Sequence, residues 1–244
     1  MNKNEKENEL LKTWYENTVV EDQEDCINIA GMANKECLRR WNIGLGGEDE
    51  PEVALGFYSV VFNSIVDMLR SKRADNNEFA INIANVIEIG YDDSTDDGEQ
   101  EKPGNFCPYI YDLGVKTNID EDPDHDSIER CVRWNSENVK EQKKTLSEIA
   151  SNAVKTLHES LDIHLGSTEA VFPLFTTIHE QLVEYMKTKQ AESGTSTVMI
   201  NFCGNFDIYC RLVEGGDVAI EYAPKPSDKI GIKSDSTATA PKEE

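Results

Sequence analysis

The sequence of this chain repeats itself, and the repeat constrains the fold more than any other feature. At an offset of 117 residues, IVDMLRSKRADNN (65–77) matches LVEYMKTKQAESG (182–194), with identical or chemically similar residues at most positions. Other segments align at nearby offsets, a pattern typical of a tandem duplication followed by small insertions or deletions. These segments are 14–46 with 134–166 at an offset of 120, where ten residues are identical, and 81–89 with 200–208 at an offset of 119.

Each copy begins with two predicted helices. In the second helix of each copy, apolar residues recur at the i, i+3, i+4, i+7 spacing of one buried stripe. Between the two helices lies an IxLG element, whose Gly46 or Gly166 is suited to ending a helix or making a turn. The predicted helices are 21–40 and 51–73 in the first copy, and 140–161 and 168–191 in the second.

Three short strands follow the helices in each copy. Residues 198–222 indicate three strands joined by a Gly-Asn turn and a Gly-Gly turn. The first copy has the same pattern, with its third strand expected at 106–113 and an acidic insertion at 92–104. The sequence therefore predicts an α+β fold made by tandem duplication of an ααβββ unit. Antiparallel three-stranded meanders with helices packed on one face are expected in a pseudo-two-fold arrangement.

The repeat also predicts the domain organisation. The first unit is expected to span 1–116 and the second 128–222. The polar, proline-containing segment 117–127 is predicted to be a linker. Residues 223–244 are poor in apolar side chains and are predicted to form a flexible polar tail.

A net charge of −23 limits the classes of partner. Nucleic acid and anionic membrane both require basic surface, so neither is an expected direct partner. The amino-terminal residues lack the apolar core of a signal peptide, and the six cysteines include no CxxC pair. We therefore expect a cytoplasmic protein (host cytoplasm if viral) with reduced, buried thiols.

Two segments of the sequence resemble metal-binding sites, but each lacks a feature that such a site requires. The acidic segment 93–104 resembles a calcium-binding EF-hand loop, but its last position is Gly104 where a bidentate carboxylate is required. The DPDHD sequence at 122–126 offers ligands on a predicted linker, which holds geometry poorly. No cofactor or metal is therefore predicted.

Catalytic residues are not predicted either. His179 aligns with Phe62, which favours a ring in the core, while His158 and His164 align with Leu38 and Gly44 and share no pattern. The nucleophile-elbow, zinc-protease and phosphate-loop signatures are missing from the sequence.

Basic residues are kept near the carboxyl end of the second helix in both copies. Cations there complement the helix dipole, and this explanation competes with a pair of partner-binding edges. Trp14 and Trp134 occupy the same position in the two copies and are expected to be core anchors. The partner-binding candidates are Arg70, Lys72, Arg73, Lys187 and Lys189.

Duplication without a recognisable active site favours a non-catalytic protein–protein interaction or assembly protein, with a protein partner or a homo-oligomer. Its composition suggests a phage or viral accessory protein or virion component. One alternative is an acidic inhibitor that mimics nucleic acid and occupies a basic groove. A small acidic chaperone-like binder is a further alternative. The last is an enzyme with a site between the repeats, using the paired carboxylates Asp67 and Glu184, or Glu88 and Asp207.

Overall fold

The computed structural model of the chain describes residues 22–92, 108–113, 126–138, 140–202, 206–212 and 218–224. Over these residues the protein is α+β, with five α-helices and two antiparallel sheets of three strands each. Short 3-10 turns, Lys140–Gln142 and Thr168–Ala170, precede the fourth and fifth helices. The elements are α1 (Gln23–Trp41), α2 (Pro51–Arg73), β1 (Glu78–Ile83), β2 (Ile87–Asp92), β3 (Tyr109–Asp112), α3 (Ser127–Ser136), α4 (Lys143–Leu161), α5 (Val171–Ser193), β4 (Thr197–Phe202), β5 (Phe206–Leu212) and β6 (Val218–Pro224).

Helices α2 and α5 form the centre of the core. Every residue from Ala54 to Phe62 is buried in α2, and every residue from Val171 to His179 is buried in α5. A helix that is apolar all round its amino-terminal half must be surrounded by protein or by lipid. Among the described helices, α2 alone is long and apolar enough to cross a membrane, yet 67% of its most apolar window is buried inside the fold.

Helices α1 and α4 are amphipathic and flank this centre. Each is 19 residues long, and each ends at a residue in the left-handed conformation, Asn42 with φ 55° and Asp162 with φ 52°. The predicted stop signals, Gly46 and Gly166, lie four residues further on. Gly46 has a left-handed φ of 71° in the following turn. Asn and Asp tolerate this conformation because their short polar side chains bond locally, so these residues end the helices instead of glycine.

The sheets take the predicted meander topology, β1-β2-β3 and β4-β5-β6. Isoleucines pair in register on the inner face, Ile81 with Ile89 and Ile200 with Ile208, and all four are fully buried. Alternation along each strand therefore directs the neighbouring polar residues to the opposite face. The β1–β2 turn uses Ala84 and Asn85, both at positive φ, which matches the twist of an antiparallel hairpin.

The helices of one half of the chain pack on the helices of the other half. Helix α1 packs on α5, and α4 packs on α2, so each first helix contacts the second helix of the other half. Tyr58 of α2 stacks on Phe175 of α5 with ring centroids 4.7 Å apart. Strand β3 lies beside β6, which brings the two sheets together edge to edge. The two halves of the chain therefore contact each other both through their helices and at the edges of their sheets.

The outer edge strands are covered in the same reciprocal way. The Asn82 backbone N–H on β1 donates to Gln142 Oε1 at 2.8 Å, just before α4. The Asn201 backbone N–H on β4 donates to Asp22 Oδ2 at 2.9 Å, just before α1. Unpaired edge groups attract other strands, so these side chains also protect the sheets from edge-to-edge association.

Helix α3 is an element that the repeat did not predict. Asp126 caps it by accepting a hydrogen bond from the Ile128 backbone N–H at 2.8 Å. Helix α3 therefore begins at Ser127, the last residue of the segment predicted to be a linker, with Asp126 as its capping residue. Trp134 of α3 is buried and meets Trp41 edge to face, as a core anchor does.

Several predicted features lie outside the described residues. These are Trp14, most of the acidic insertion 92–104, the linker up to residue 125 and the polar tail from residue 225. The predicted third strand 106–113 is described from residue 108, and its ladder is the shorter Tyr109–Asp112.

Candidate functional site

The five predicted basic residues lie in different environments. Arg70 is exposed and pairs with Asp67 at 3.5 Å, and Lys187 is also exposed. Lys72 and Arg73 are half-buried at the end of α2. Lys189 instead turns towards α1 and forms an ion pair with the buried Asp25. One of the five candidates therefore joins the two halves of the protein.

The electrostatics of Lys189 agree with a structural role. Partial burial lowers the pKa of its ammonium, but the hydrogen bond and charge of Asp25 outweigh that effect and the pKa lies above its usual value. Tyr185 also donates to the Asp25 carboxylate, at 2.7 Å. Asp25 thus accepts from two residues of α5, and Lys189 is committed to that contact.

The outer face of the two sheets is a more distinctive surface than the helix ends. Helices α2 and α5 pack on the inner face, and the residues that alternate with the buried isoleucines point the other way. On that outer face, the side chains of Tyr111 and Met199 are 58% and 47% exposed. Aromatic residues and methionine are enriched at protein–protein interfaces. We call this surface the outer face; its described residues are Glu78, Ala80, Asn82, Glu88, Gly90, Asp92, Tyr109, Tyr111, Thr197, Met199, Asn201, Asp207, Tyr209 and Arg211.

The tyrosines of β3 are held in place by β2. A Cβ added to Gly90 would lie 2.6 Å from the Tyr109 hydroxyl, so the ring lies directly over the glycine. Burial, the nearby charges of Glu88 and Asp92, and a hydrogen bond to Glu88 raise the pKa of Tyr109, which keeps the phenol protonated. The Tyr111 ring lies beside Tyr109 with centroids 4.7 Å apart. Tyr111 is therefore presented on a supported aromatic pair next to the junction with β6.

Three of the four carboxylates of the enzyme alternative have local partners. Asp67 pairs with Arg70, and Asp207 accepts from Asn201 Nδ2 at 2.5 Å on the neighbouring strand. Glu88 bonds Tyr109, while Glu184 is exposed on α5. Glu88 and Asp207 lie on the outer face, as alternation along the strands predicts.

The histidines divide into one core residue and one cluster. His179 is 2% exposed, and its Nδ1 lies 2.9 Å from the Tyr58 hydroxyl in the position predicted by its alignment with Phe62. Among the described residues, the group with metal-ligand chemistry is His158, Asp162 and His164 at the carboxyl end of α4. Sequence reasoning missed this group because it looked for residues shared by both copies; the signal was the H-x-x-x-D-x-H spacing across a helix end.

The outer face was also missed. Its signal was the alternation of YIYD at 109–112, which places Tyr109 and Tyr111 on one face and Ile110 on the other. Comparison of the chain with known protein families, with curated proteins and with solved structures finds no match.

Proposed function

We propose that the chain arose by tandem duplication of an ααβββ unit and acts as a non-catalytic protein–protein interaction or assembly protein. The duplication is supported by burial at matching positions. All six buried residues of α4 lie 120 positions after a buried residue of α1. From Ala54 to Leu69, every buried residue of α2 has a buried counterpart 117 positions later in α5.

The observation that carries the interaction role is the exposed aromatic and methionine content of the outer face. A partner can cover large exposed apolar side chains on a sheet face without any rearrangement of the fold. Their burial then stabilises the complex. Tyr111 is exposed on β3, the strand that lies beside β6 at the junction of the two sheets. Residues at the centre of an interface contribute most to its affinity. A protein partner, or a second copy of the chain, is the occupant that this face fits.

The test is an affinity capture from native lysate with a face variant and a matched control. The face variant carries Tyr111→Arg and Met199→Arg, which place two cations at exposed positions of the outer face. The control is Val132→Arg, because Val132 is 49% exposed on α3, a helix that packs on α1 and α5. Circular dichroism of all three proteins checks that the fold is kept. Sedimentation velocity of the same three proteins detects self-association.

We expect a stoichiometric partner, or a dimer, that the wild type and Val132→Arg retain and the face variant loses. The loss should be at least about 10-fold in affinity, because hot-spot side chains contribute about 2 kcal/mol or more. A partner retained equally by all three proteins would contradict the role of the outer face. Recovery of a nucleic-acid-handling enzyme only at low salt would favour the nucleic-acid mimic instead. Assignment to a phage or virus stays a prediction from composition.

A further inference from the structure

The carboxyl end of α4 brings three metal-ligand side chains together. His158 lies in the last turn of the helix, Asp162 ends it, and His164 follows two residues later. The nearest ligand atoms of the three side chains all lie within 4.8 Å of one another. His164 Nε2 is 2.9 Å from Asp162 Oδ1, and the two imidazole rings have centroids 4.3 Å apart. The three donors therefore converge on one point at the protein surface.

The backbone around this point is fixed by buried neighbours. Leu157, Leu161 and Ile163 are 0%, 8% and 9% exposed, and each immediately precedes one of the three ligands in the sequence. The left-handed Asp162 allows the chain to turn, and the Ile163 N–H closes the turn on the Leu157 carbonyl at 3.1 Å. The apolar side chains thus anchor the turn in the core while the polar side chains project from it. The backbone positions of the three ligands are therefore held by the fold without a metal.

The donor types select the class of ion. Two imidazole nitrogens and one carboxylate suit zinc and neighbouring transition metals, whereas calcium and magnesium take oxygen ligands. Zinc bonds of 2.0–2.1 Å in a tetrahedral site put ligand atoms about 3.3 Å apart. The three ligand atoms lie within 4.8 Å of one another, so the exposed imidazoles would rotate towards the ion to close the site. His158 and His164 are both exposed and have room for that rotation.

The first half of the chain provides an internal comparison. Helix α1 ends in the same left-handed turn, but the residues matching His158, Asp162 and His164 are Leu38, Asn42 and Gly44. The turn therefore forms without histidine or carboxylate. The three ligands of the second half are an addition to a turn that the fold makes anyway.

We propose that His158, Asp162 and His164 form a binding site for a divalent transition-metal ion of the zinc type. The three protein ligands leave one coordination position directed to solvent, where a water molecule or a residue of another protein completes the shell. This inference is independent of the proposed interaction role, since it involves a different surface and a different ligand.

The test measures Zn²⁺ binding to the full-length chain, with any affinity tag removed and the thiols kept reduced. Isothermal titration calorimetry compares the wild type with His158→Gln, with His164→Gln, and with Glu159→Gln as the control. Glu159 is an exposed carboxylate next to His158 in the sequence and is outside the cluster. Co²⁺ absorption adds a readout of ligand type, because thiolate ligands give an intense near-ultraviolet band that imidazole and carboxylate do not.

We expect one Zn²⁺ per chain, bound equally by the wild type and Glu159→Gln. Each histidine variant should weaken binding by about 100-fold or more, since even indirect ligand contacts contribute about 10–100-fold to metal affinity. Binding should also weaken in acid, because protons compete for the imidazoles. Absence of one-to-one binding by the wild type would overturn the proposal. So would binding that the histidine variants leave unchanged, or a Co²⁺ spectrum dominated by thiolate, which would place the ion on cysteines.

Discussion

The two helix interfaces that cross between the halves are built differently. Helices α1 and α5 are joined by polar contacts: Asp25 with Lys189, Arg40 with Glu180 at 2.5 Å, and Trp41 Nε1 donating to Thr177 Oγ1 at 3.0 Å. The matching positions between α4 and α2 hold Thr145 with Lys72, Ser160 with Asn63, and Leu161 with Val60, and none of these pairs combines opposite charges.

This difference distinguishes two helix interfaces that are otherwise alike. Two equivalent apolar interfaces allow a helix to pack on either partner, because apolar contact is non-directional. A charge pair and directed hydrogen bonds on one interface distinguish α1–α5 from α4–α2. Buried polar contacts contribute less to net stability than their Coulomb energy suggests.

The largest difference between the interfaces should appear at Trp41. Trp41 is 1% exposed, contacts Trp134 and donates to Thr177, so Trp41→Ala should lower the free energy of unfolding by about 3–5 kcal/mol. Leu161, its counterpart, is 8% exposed, and Leu161→Ala should cost nearer the lower end of the ~2–5 kcal/mol range. Urea unfolding followed by circular dichroism gives both values. Equal losses would show that the two interfaces contribute alike.

A smaller effect is expected at the Asp25–Lys189 pair. Lys189→Met leaves the buried Asp25 carboxylate with the Tyr185 hydroxyl but without its cation, and should cost about 1–3 kcal/mol. Asp25→Asn leaves Lys189, which is 39% exposed and reaches water, and should cost less. Thr145→Ala, at the matching position of α4, is the control and should be within about 0.5 kcal/mol of the wild type.

The same pair has a defined pH dependence. Because the pKa of Lys189 is raised in the folded protein, its contribution is complete below the ordinary lysine pKa of about 10.4 and is lost as pH rises through the folded value. Unfolding free energies of the wild type should therefore fall towards those of Lys189→Met in strong alkali. A constant difference across that range would contradict the assignment.

The smallest difference between the two interfaces is expected at two buried cysteines of α1, which lie at positions held by leucine in α4. Burial raises the pKa of Cys26 and of Cys37 to about 12, and they lie at the positions of Leu146 and Leu157 in α4. Because thiolate is the reactive form, neither cysteine should be alkylated in the native protein at pH 8. Mass spectrometry after iodoacetamide treatment, with and without urea, measures this. Native labelling of Cys37 would mean that the α1 interface opens.

The repeat in the sequence predicts much of this fold because each copy supplies an independent reading of the same pattern. Ile29 and Ile149, or Ile81 and Ile200, are buried at matching places, and alignment of the copies identified His179 as a core ring. The same reasoning was a poor guide to the candidate sites. It favoured residues kept in both copies. Lys189, one of these, forms an ion pair inside the protein, and the cluster around His158 occurs in one copy alone.

The sequence by itself determined the α+β class, the order and approximate bounds of most elements, and the outward direction of Tyr111, because these depend on local periodicity and turn residues. The tertiary structure decided which helix packs on which, that β3 meets β6, and that Gln142 and Asp22 cover the edge strands. It also placed His158, Asp162 and His164 around one point. Those outcomes depend on contacts between residues far apart in the chain or on the exact path of a turn, and a one-dimensional pattern does not contain that geometry.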